Sequence, residues 1–497
     1  SRIGRSLLDQ EIDMTPARCC PSPFSQAPNA GFRPTGRAEP SDPRDVDPGR
    51  EYADANGSND LPVAVIGAGP VGLAAAAHLA ARDQEAVVLE AGSGPGTSVR
   101  EWGHVRLFSP WDLCIDPVAQ AILESSDWEA PPPEELPTGG ELVERYLEPL
   151  AELPRLRSMI RYEHRVTAVS RVGRDRLKGA SRSERAESPF LVRYETPGSQ
   201  GRMHARAVVD ASGTWTRPRP LGGDGLPARG EREASDRIHY GLPDVLGTAR
   251  DRYGGKRTAV VGAGHSAANV LLDLVRLKRQ EPETEPLWVL RGGPPGNVFR
   301  DERDGEDELE ARGELERRLR GLVEEGPVRL ITEFGTRAVR SRSDGIILED
   351  GMRRSLDVDR VVAVTGFRPH LEMLRELRLD LDPVTEAPRD LGPLIDPNVH
   401  SCGTVPPHGE EELRHPEPGF YIVGMKAYGR APTFLLPTGY EQVRSVVASL
   451  AGDREAARRI ELALPETGVC SADAALAADA DSATETASSD RGELRCG

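Results

Sequence analysis

The sequence predicts an α/β fold in which one three-layer, parallel-sheet nucleotide-binding domain is inserted into another. Two observations carry this expectation: a unit of strand, glycine turn, helix and strand at residues 62–90, and a second such unit at 257–291. A third supports it, because apolar runs at 205–210, 359–367 and 419–425 can return the chain to a sheet after each excursion.

The first unit opens on Val63, Val65 and Ile66, turns through Gly67-Ala68-Gly69-Pro70-Val71-Gly72, continues as an Ala/Leu-rich helix and ends in a second apolar run. Gly67 serves the tight turn, Gly69 lets a pyrophosphate approach the backbone, and Gly72 lets the helix pack closely on the strand. The helix start, with Pro70 in the turn that leads into it, offers free N–H groups and a positive dipole end to phosphates. Glu90 closes the second strand 23 positions after Gly67. A carboxylate there accepts hydrogen bonds from a ribose 2′-hydroxyl and repels a 2′-phosphate.

In the second unit, a strand at 259–261 leads into Gly262-x-Gly264-x-x-Ala267, an amphipathic helix and a strand at 287–290. Ala267 replaces the third glycine and still permits close packing. The strand ends at Arg291, whose guanidinium suits the 2′-phosphate of NADP. Lys256 and Arg257 border the same pocket. His265 and Ser266 lie at the helix N-terminus, where the histidine can reach a phosphate or simply fill the turn. Opposite ribose chemistries imply two nucleotides, FAD at the first site and NADPH at the second.

This order of motifs resembles the two-dinucleotide-binding-domain flavoproteins, the superfamily of flavin-containing monooxygenases, Baeyer–Villiger monooxygenases and thioredoxin or glutathione reductases. Within it the chain is most similar to monooxygenase-like bacterial flavoproteins linked with metal or arsenic resistance. The resemblance spans roughly 61–452 and implies two Rossmann-like domains: FAD-binding residues 61–224 and 357–465, and an inserted NADP-binding domain at 225–356; composition predicts disordered ends at 1–60 and 466–497. It implies that the segment after Glu90 runs along the flavin and carries Trp102, with Ser109-Pro110-Trp111 near the ring edge; core packing is the alternative for both Trp102 and Trp111. The backbone near Val166 would meet the adenine. Ser212-Gly213 would form the turn linking the domains, with Thr365-Gly366 its second copy. Gly424 would meet the flavin pyrophosphate, and a helix starting at Thr438-Gly439 would aim its dipole at the flavin. The chain departs from the family in two places. Met425 stands where relatives carry an Asp that holds the ribityl chain, which moves that duty to the backbone or to Lys426. Gly230, Ile238, His239 and Tyr240 preserve only a fragment of the monooxygenase fingerprint.

Composition narrows the remaining classes. A net charge of −17 over 497 residues argues against a nucleic-acid or anionic-membrane surface. No run of 18 apolar residues occurs, so no membrane span is expected. Residues 1–60 are rich in Pro, Gly, Asp and Arg, lack a secretory signature, and contain Met14 as a candidate start; a cytoplasmic location is expected. The six cysteines are Cys19-Cys20, Cys114, Cys402, Cys470 and Cys496, and none forms a CxxC. This opposes a dithiol relay between flavin and acceptor. Cys470 and Cys496 are tail thiols or, alternatively, soft-metal ligands; no metal site is assigned. The insert at 173–188 reads as a solvated loop, and 300–325 as a charged helix with a solvated face.

The expected reaction is hydride transfer from NADPH to FAD, followed by electron transfer to O2 in a monooxygenase of a small-molecule substrate. A reductase of a quinone, metal or metalloid acceptor is the alternative, and a redox-sensing flavoprotein with a partner is a third reading. No catalytic residue beyond cofactor binding is identified.

Overall fold

A computed structural model describes residues 60–178, 181–293, 310–397, 405–432 and 434–462. The expectations for the N-terminal arm, the tail, residues 300–309, and Cys19, Cys20, Cys402, Cys470 and Cys496 lie outside them.

The chain begins as expected with β1 (Val63–Ile66), α1 (Pro70–Ala81) and β2 (Ala86–Leu89). All four β1 residues are buried, which is why the strand is apolar throughout rather than alternating. Ten of the twelve α1 residues are buried, so its alanines are core residues allowing close approach on several sides. A helical stretch at 139–152 follows, with a wide π turn at Val143–Leu147 and a capping box between Thr138 and Glu141 at its start.

Short β3 (Ile160–Arg161) joins the first sheet. β4 (Arg165–Arg171), β5 (Phe190–Thr196) and β6 (Ser199–Ala205) then form a separate antiparallel sheet. β6 was not anticipated, because its Ser-Gln-Gly-Arg composition carries little strand signal. The run at 205–210 accordingly divides: Ala205 ends β6, and β7 (Ala207–Asp210) pairs with β1.

The insert at 173–188 corrects its reading as a solvated loop. α2 (Arg182–Glu187), capped by Ser181, buries Arg185 completely. That guanidinium contacts both oxygens of Glu417, with Nη2 2.7 Å from Oε2. Arg171 reaches the same carboxylate through Nε at 2.8 Å and lies 3.6 Å over the Phe190 ring. An arginine-rich composition therefore conceals a buried anchor between this insert and the segment before the last strand.

The first sheet has the order β16-β7-β1-β2-β3, where β16 is Phe420–Ile422, and all its pairings are parallel. The second contains β8 (Ile238–Tyr240), β9 (Arg257–Val261), β10 (Glu285–Val289), β11 (Arg329–Ile331) and β15 (Arg360–Ala363), in the parallel order β11-β10-β9-β15-β8. Between β9 and β10 runs α3 (His265–Gln280), and α4 (Glu310–Glu324) precedes β11. Although α4 is highly charged, Leu319 is buried in the core shared with α3, so one face is packed. On the other side of the sheet lies an antiparallel layer of β12 (Thr336–Ser341), β13 (Ile346–Asp350) and β14 (Ser355–Val358).

β15 differs from its expected place. Residues 360–363 were read as the return to the first domain, yet Val361 and Val362 pair with Ala259 and Val260 of the second sheet. The return comes afterwards, along a segment running beside the outgoing one: Arg219 N–H donates to Gly366 O at 2.9 Å, and Arg368 N–H to Arg217 O at 2.9 Å. The last long helix, α5 (Leu436–Leu450), starts two residues before Thr438, with Pro437 in its first turn. Beyond it the chain turns at Gly452, φ +86°, and a separate short helix, Arg454–Arg458, follows.

Candidate functional site

Both parallel sheets reverse strand order next to their glycine turns: β1 has β2 on one side and β7 on the other, and β9 has β10 and β15. In such sheets the crevice outside the strand carboxyl ends, at this switch point, is where ligands bind.

At the first sheet, Gly67 has φ +98°, and an added Cβ would sit 2.9 Å from Ala211 O. A Cβ on Gly72 would lie 1.9 Å from Gly67 O, so helix and turn touch through backbone. Gly69 is the opposite case, with no atom within 4 Å of its Cβ position. It is also the N-cap of α1, which has no side-chain cap and no acid in its first turn. The helix start is thus an uncapped donor cluster beside open space, which fits a phosphate.

Glu90 is 9% exposed and builds the rim of this turn: Oε2 accepts from Ala68 N–H at 2.7 Å, and Oε1 from Gly92 N–H at 2.8 Å. His164 N–H donates to Glu90 O at 2.8 Å, which brings the start of β4 beside Glu90. The Val166 side chain itself is buried in the core.

Across the switch point, Ser212 and Gly213 follow β7, and the Gly213 Cβ position is also open. Gly424 follows β16 with φ +69° and donates its N–H to Gln442 Oε1 at 2.7 Å. Cβ atoms on Gly424 or on Gly439 of α5 would both meet Val71 of α1. The three segments therefore converge on one residue, and buried Thr438 lies in the first turn of α5.

Lys426 proves to be fully buried. Its Nζ lies 2.6 Å from Asp210 Oδ2 and 3.1 Å from Ser212 Oγ, while Ser212 Oγ donates to Asp210 Oδ1 at 2.6 Å. The ammonium is thus committed to the end of β7. The pairing was missed because Asp210 and Lys426 are 216 positions apart and only the sheet order joins their strand ends.

The loop after Glu90 divides the tryptophans. Trp111 is 1% exposed and is core. Trp102 is half-buried, packed so closely over Gly139 that a Cβ there would lie 2.7 Å from its ring, and 6.4 Å from Trp215. Ser109 is buried, and its carbonyl accepts from Cys114 Sγ at 3.4 Å. Burial, reinforced by Asp112, pushes the Cys114 thiol up to about 12. It is the one cysteine among the described residues and is a thiol rather than a thiolate at neutral pH.

At the second sheet, Gly262 has φ +144°, and its Cβ would lie 2.2 Å from Val364 O. Gly264 caps α3 with no side-chain cap, no first-turn acid and open space at its Cβ position, repeating the phosphate-ready geometry. Ala267, at the third position, is fully buried in the core of the second sheet and α3. Ser266 is half-buried in the first turn of α3, and His265 packs against Phe108 from the first unit at 5.3 Å. Arg291 follows β10, is exposed, and donates from Nη1 to Gly223 O at 3.1 Å. Thr365 and Gly366 follow β15, and Thr365 Oγ1 donates to Arg219 O at 2.9 Å, tying the two crossings together. Among the described residues no helix is long and apolar enough to cross a membrane, and no group of three metal-ligating side chains occurs.

Comparison with solved structures supports this architecture. Bacillithiol disulfide reductase from Bacillus cereus matches at 18% identity and a TM-score of 0.56, covering 79% of this chain and 99% of that one. A mutant of the flavin monooxygenase from Stenotrophomonas maltophilia matches at 21% identity and 0.51, covering 78% and 99%. The cadaverine monooxygenase from Erwinia amylovora matches at 15% and 0.53, covering 82% and 98%. At these identities the likeness is one of fold. No curated protein matches the chain in sequence. The pyridine nucleotide-disulphide oxidoreductase family model matches residues 64–398. With both glycine turns inside that span, the chain belongs to this family and is a two-dinucleotide-binding-domain flavoprotein oxidoreductase that uses FAD and a pyridine nucleotide.

Proposed function

We propose that the chain is an NADPH-dependent FAD oxidoreductase of the monooxygenase type acting on a small molecule, with FAD at the first glycine turn and NADPH at the second. The observation that carries this reading is the contrast of ribose ends on two otherwise matching crevices: buried Glu90 after β2, and exposed Arg291 after β10. The proposed FAD unit comprises 61–224 and the residues from about 365 onward, and the NADPH unit ends with β15 rather than at 356.

When bound, FAD supplies a ring that accepts a hydride and passes two electrons on. The protein's own contribution is positional. Gly69 and the α1 start would hold the FAD pyrophosphate, Gly213 would leave room for close approach, and Glu90 would accept from the ribose. The α5 N-terminus would direct its positive end toward the cofactor. Gly264, His265 and Ser266 would hold the NADPH pyrophosphate, and Arg291 its 2′-phosphate. The raised Cys114 thiol supports direct passage of electrons to O2 or a bound acceptor, without a thiol step at that residue.

Mixing anaerobically NADPH-reduced protein with O2 and following the flavin absorbance tests the reading. An oxygenase gives a species distinct from both reduced and oxidised flavin, whose decay depends on substrate. Reoxidation in a single step, with electrons passing readily to a quinone, overturns the monooxygenase type in favour of a reductase. Failure to oxidise NADPH with any acceptor would favour a redox sensor.

A further inference from the structure

A cavity of about 280 Å3 opens among Glu101 of the loop after β2, Trp215 on the outgoing crossing, Phe367 on the returning one, His239 and Tyr240 at the end of β8, and part of the segment 242–249 that follows it. This volume lies just under the range of pockets that enclose a drug-sized molecule, so it suits one ring or one compact head group.

Its chemistry is one-sided. Trp215, Tyr240 and Phe367 supply aromatic surface, and the Trp215 and Phe367 rings lie 4.9 Å apart at a 32° tilt. Glu101 and Asp244 supply carboxylates, Glu101 oriented by the Trp215 indole N–H at 2.6 Å. Neither lysine nor arginine is among the described lining residues. The remaining base, His239, has its pKa lowered by burial, then by Arg252 and His104, which favours the neutral ring.

We propose that this cavity binds a compact organic cation, held by the aromatic faces and the two carboxylates. Aromatic rings attract cations through their negative faces, and a desolvated wall strengthens the attraction. Anions, including oxyanion acceptors, are repelled by the same wall. Two sources share the required chemistry. One is an ammonium head group on a separate small molecule. The other is the oxidised nicotinamide ring, and this source rests on the NADPH assignment above. With pyrophosphate at Gly262–Gly264 and the 2′-phosphate at Arg291 after β10, the other half of the dinucleotide would extend over β15 and β8, toward the cavity.

Calorimetric titration of the FAD-loaded protein tests the proposal, using choline against its uncharged carbon isostere, and methylnicotinamide cation against neutral nicotinamide. At least one cation is expected to bind about tenfold or more tighter than its neutral partner. Glu101→Gln, which can still accept from the indole, and Phe367→Leu should each weaken that binding several-fold. Choline binding that persists under saturating NADP identifies a separate ligand, whereas its displacement identifies the nicotinamide ring. Equal affinity within both pairs, or unchanged cation affinity in both variants, overturns the proposal. Flavin content and NADPH oxidation report independently on the functional reading, so the two can fail separately.

Discussion

The two glycine turns share a plan and differ in tightness. In the first, the third glycine is obligatory, because a Cβ on Gly72 would lie 1.9 Å from a backbone carbonyl; in the second, Ala267 fills the same position and its methyl is fully buried. α1 is buried on nearly every side, whereas α3 buries eight of its sixteen residues. The acid of the first turn is already fixed by two backbone N–H groups, while the arginine of the second reaches from an exposed stem to the Gly223 carbonyl. A crevice set by backbone and core packing suits a ligand that stays. One finished by an exposed side chain suits a ligand that exchanges. This contrast matches the proposal of a resident FAD and a transient NADPH.

The largest test of the comparison addresses the rigidity of the first crevice. Lys426→Met leaves the Asp210 carboxylate buried and unpaired, with an expected loss of about 3–5 kcal/mol. Urea denaturation measures it, and Asp210→Leu combined with Lys426→Met should recover much of the loss. A single-variant loss below about 1 kcal/mol would show that water reaches the pair.

Next in size is a matched pair at the third position of each turn. Gly72→Ala should cost about 1–3 kcal/mol through overpacking and lower the flavin content. Ala267→Gly should cost about 1–2 kcal/mol, because helix propensity and one buried methyl are lost, with flavin content unchanged. Equal losses would erase the distinction between the turns.

Arg291→Glu probes the exchangeable side. One charge-assisted contact of about 1.5–3 kcal/mol corresponds to a tenfold or greater preference for NADPH over NADH. The substitution should reverse the ratio of kcat/KM values and leave FAD in place. A parent enzyme that uses both nucleotides equally would remove Arg291 from the site.

The smallest expected effect belongs to Cys114→Ser. The hydroxyl can replace the thiol's bond to the Ser109 carbonyl, and NADPH oxidation should stay within a few-fold of the parent. Loss of turnover with FAD still bound would make this thiol part of the reaction.

The α/β class and the strand ends around Gly67 and Gly262 were legible because each function of these glycines is local: turn, approach and packing lie within a few residues. β15 was assigned to the wrong sheet because an apolar run such as Arg-Val-Val-Ala states that it is buried but not beside which partner. The Asp210–Lys426 pair and the Arg171–Glu417–Arg185 cluster were invisible for a related reason. Charged residues normally read as surface, and only tertiary pairing makes their burial tolerable. The start of the helical stretch at 139–152 is, by contrast, specified locally, because the capping box of Thr138 and Glu141 lies within four consecutive residues.

The position of β16 at the edge of the first sheet has a consequence for synthesis. β7 ends at Asp210, but its outer neighbour begins only at Phe420, after the whole second sheet has been made. At translation rates of about 5–20 residues per second, that interval lasts on the order of ten seconds or more. The second sheet has all its strands once residue 363 has left the ribosome, while the first still lacks β16, Lys426 and α5. The unit that begins first is thus completed last. Until then Asp210 has no Lys426 to neutralise it, and the nascent chain exposes the unfinished edge of β7.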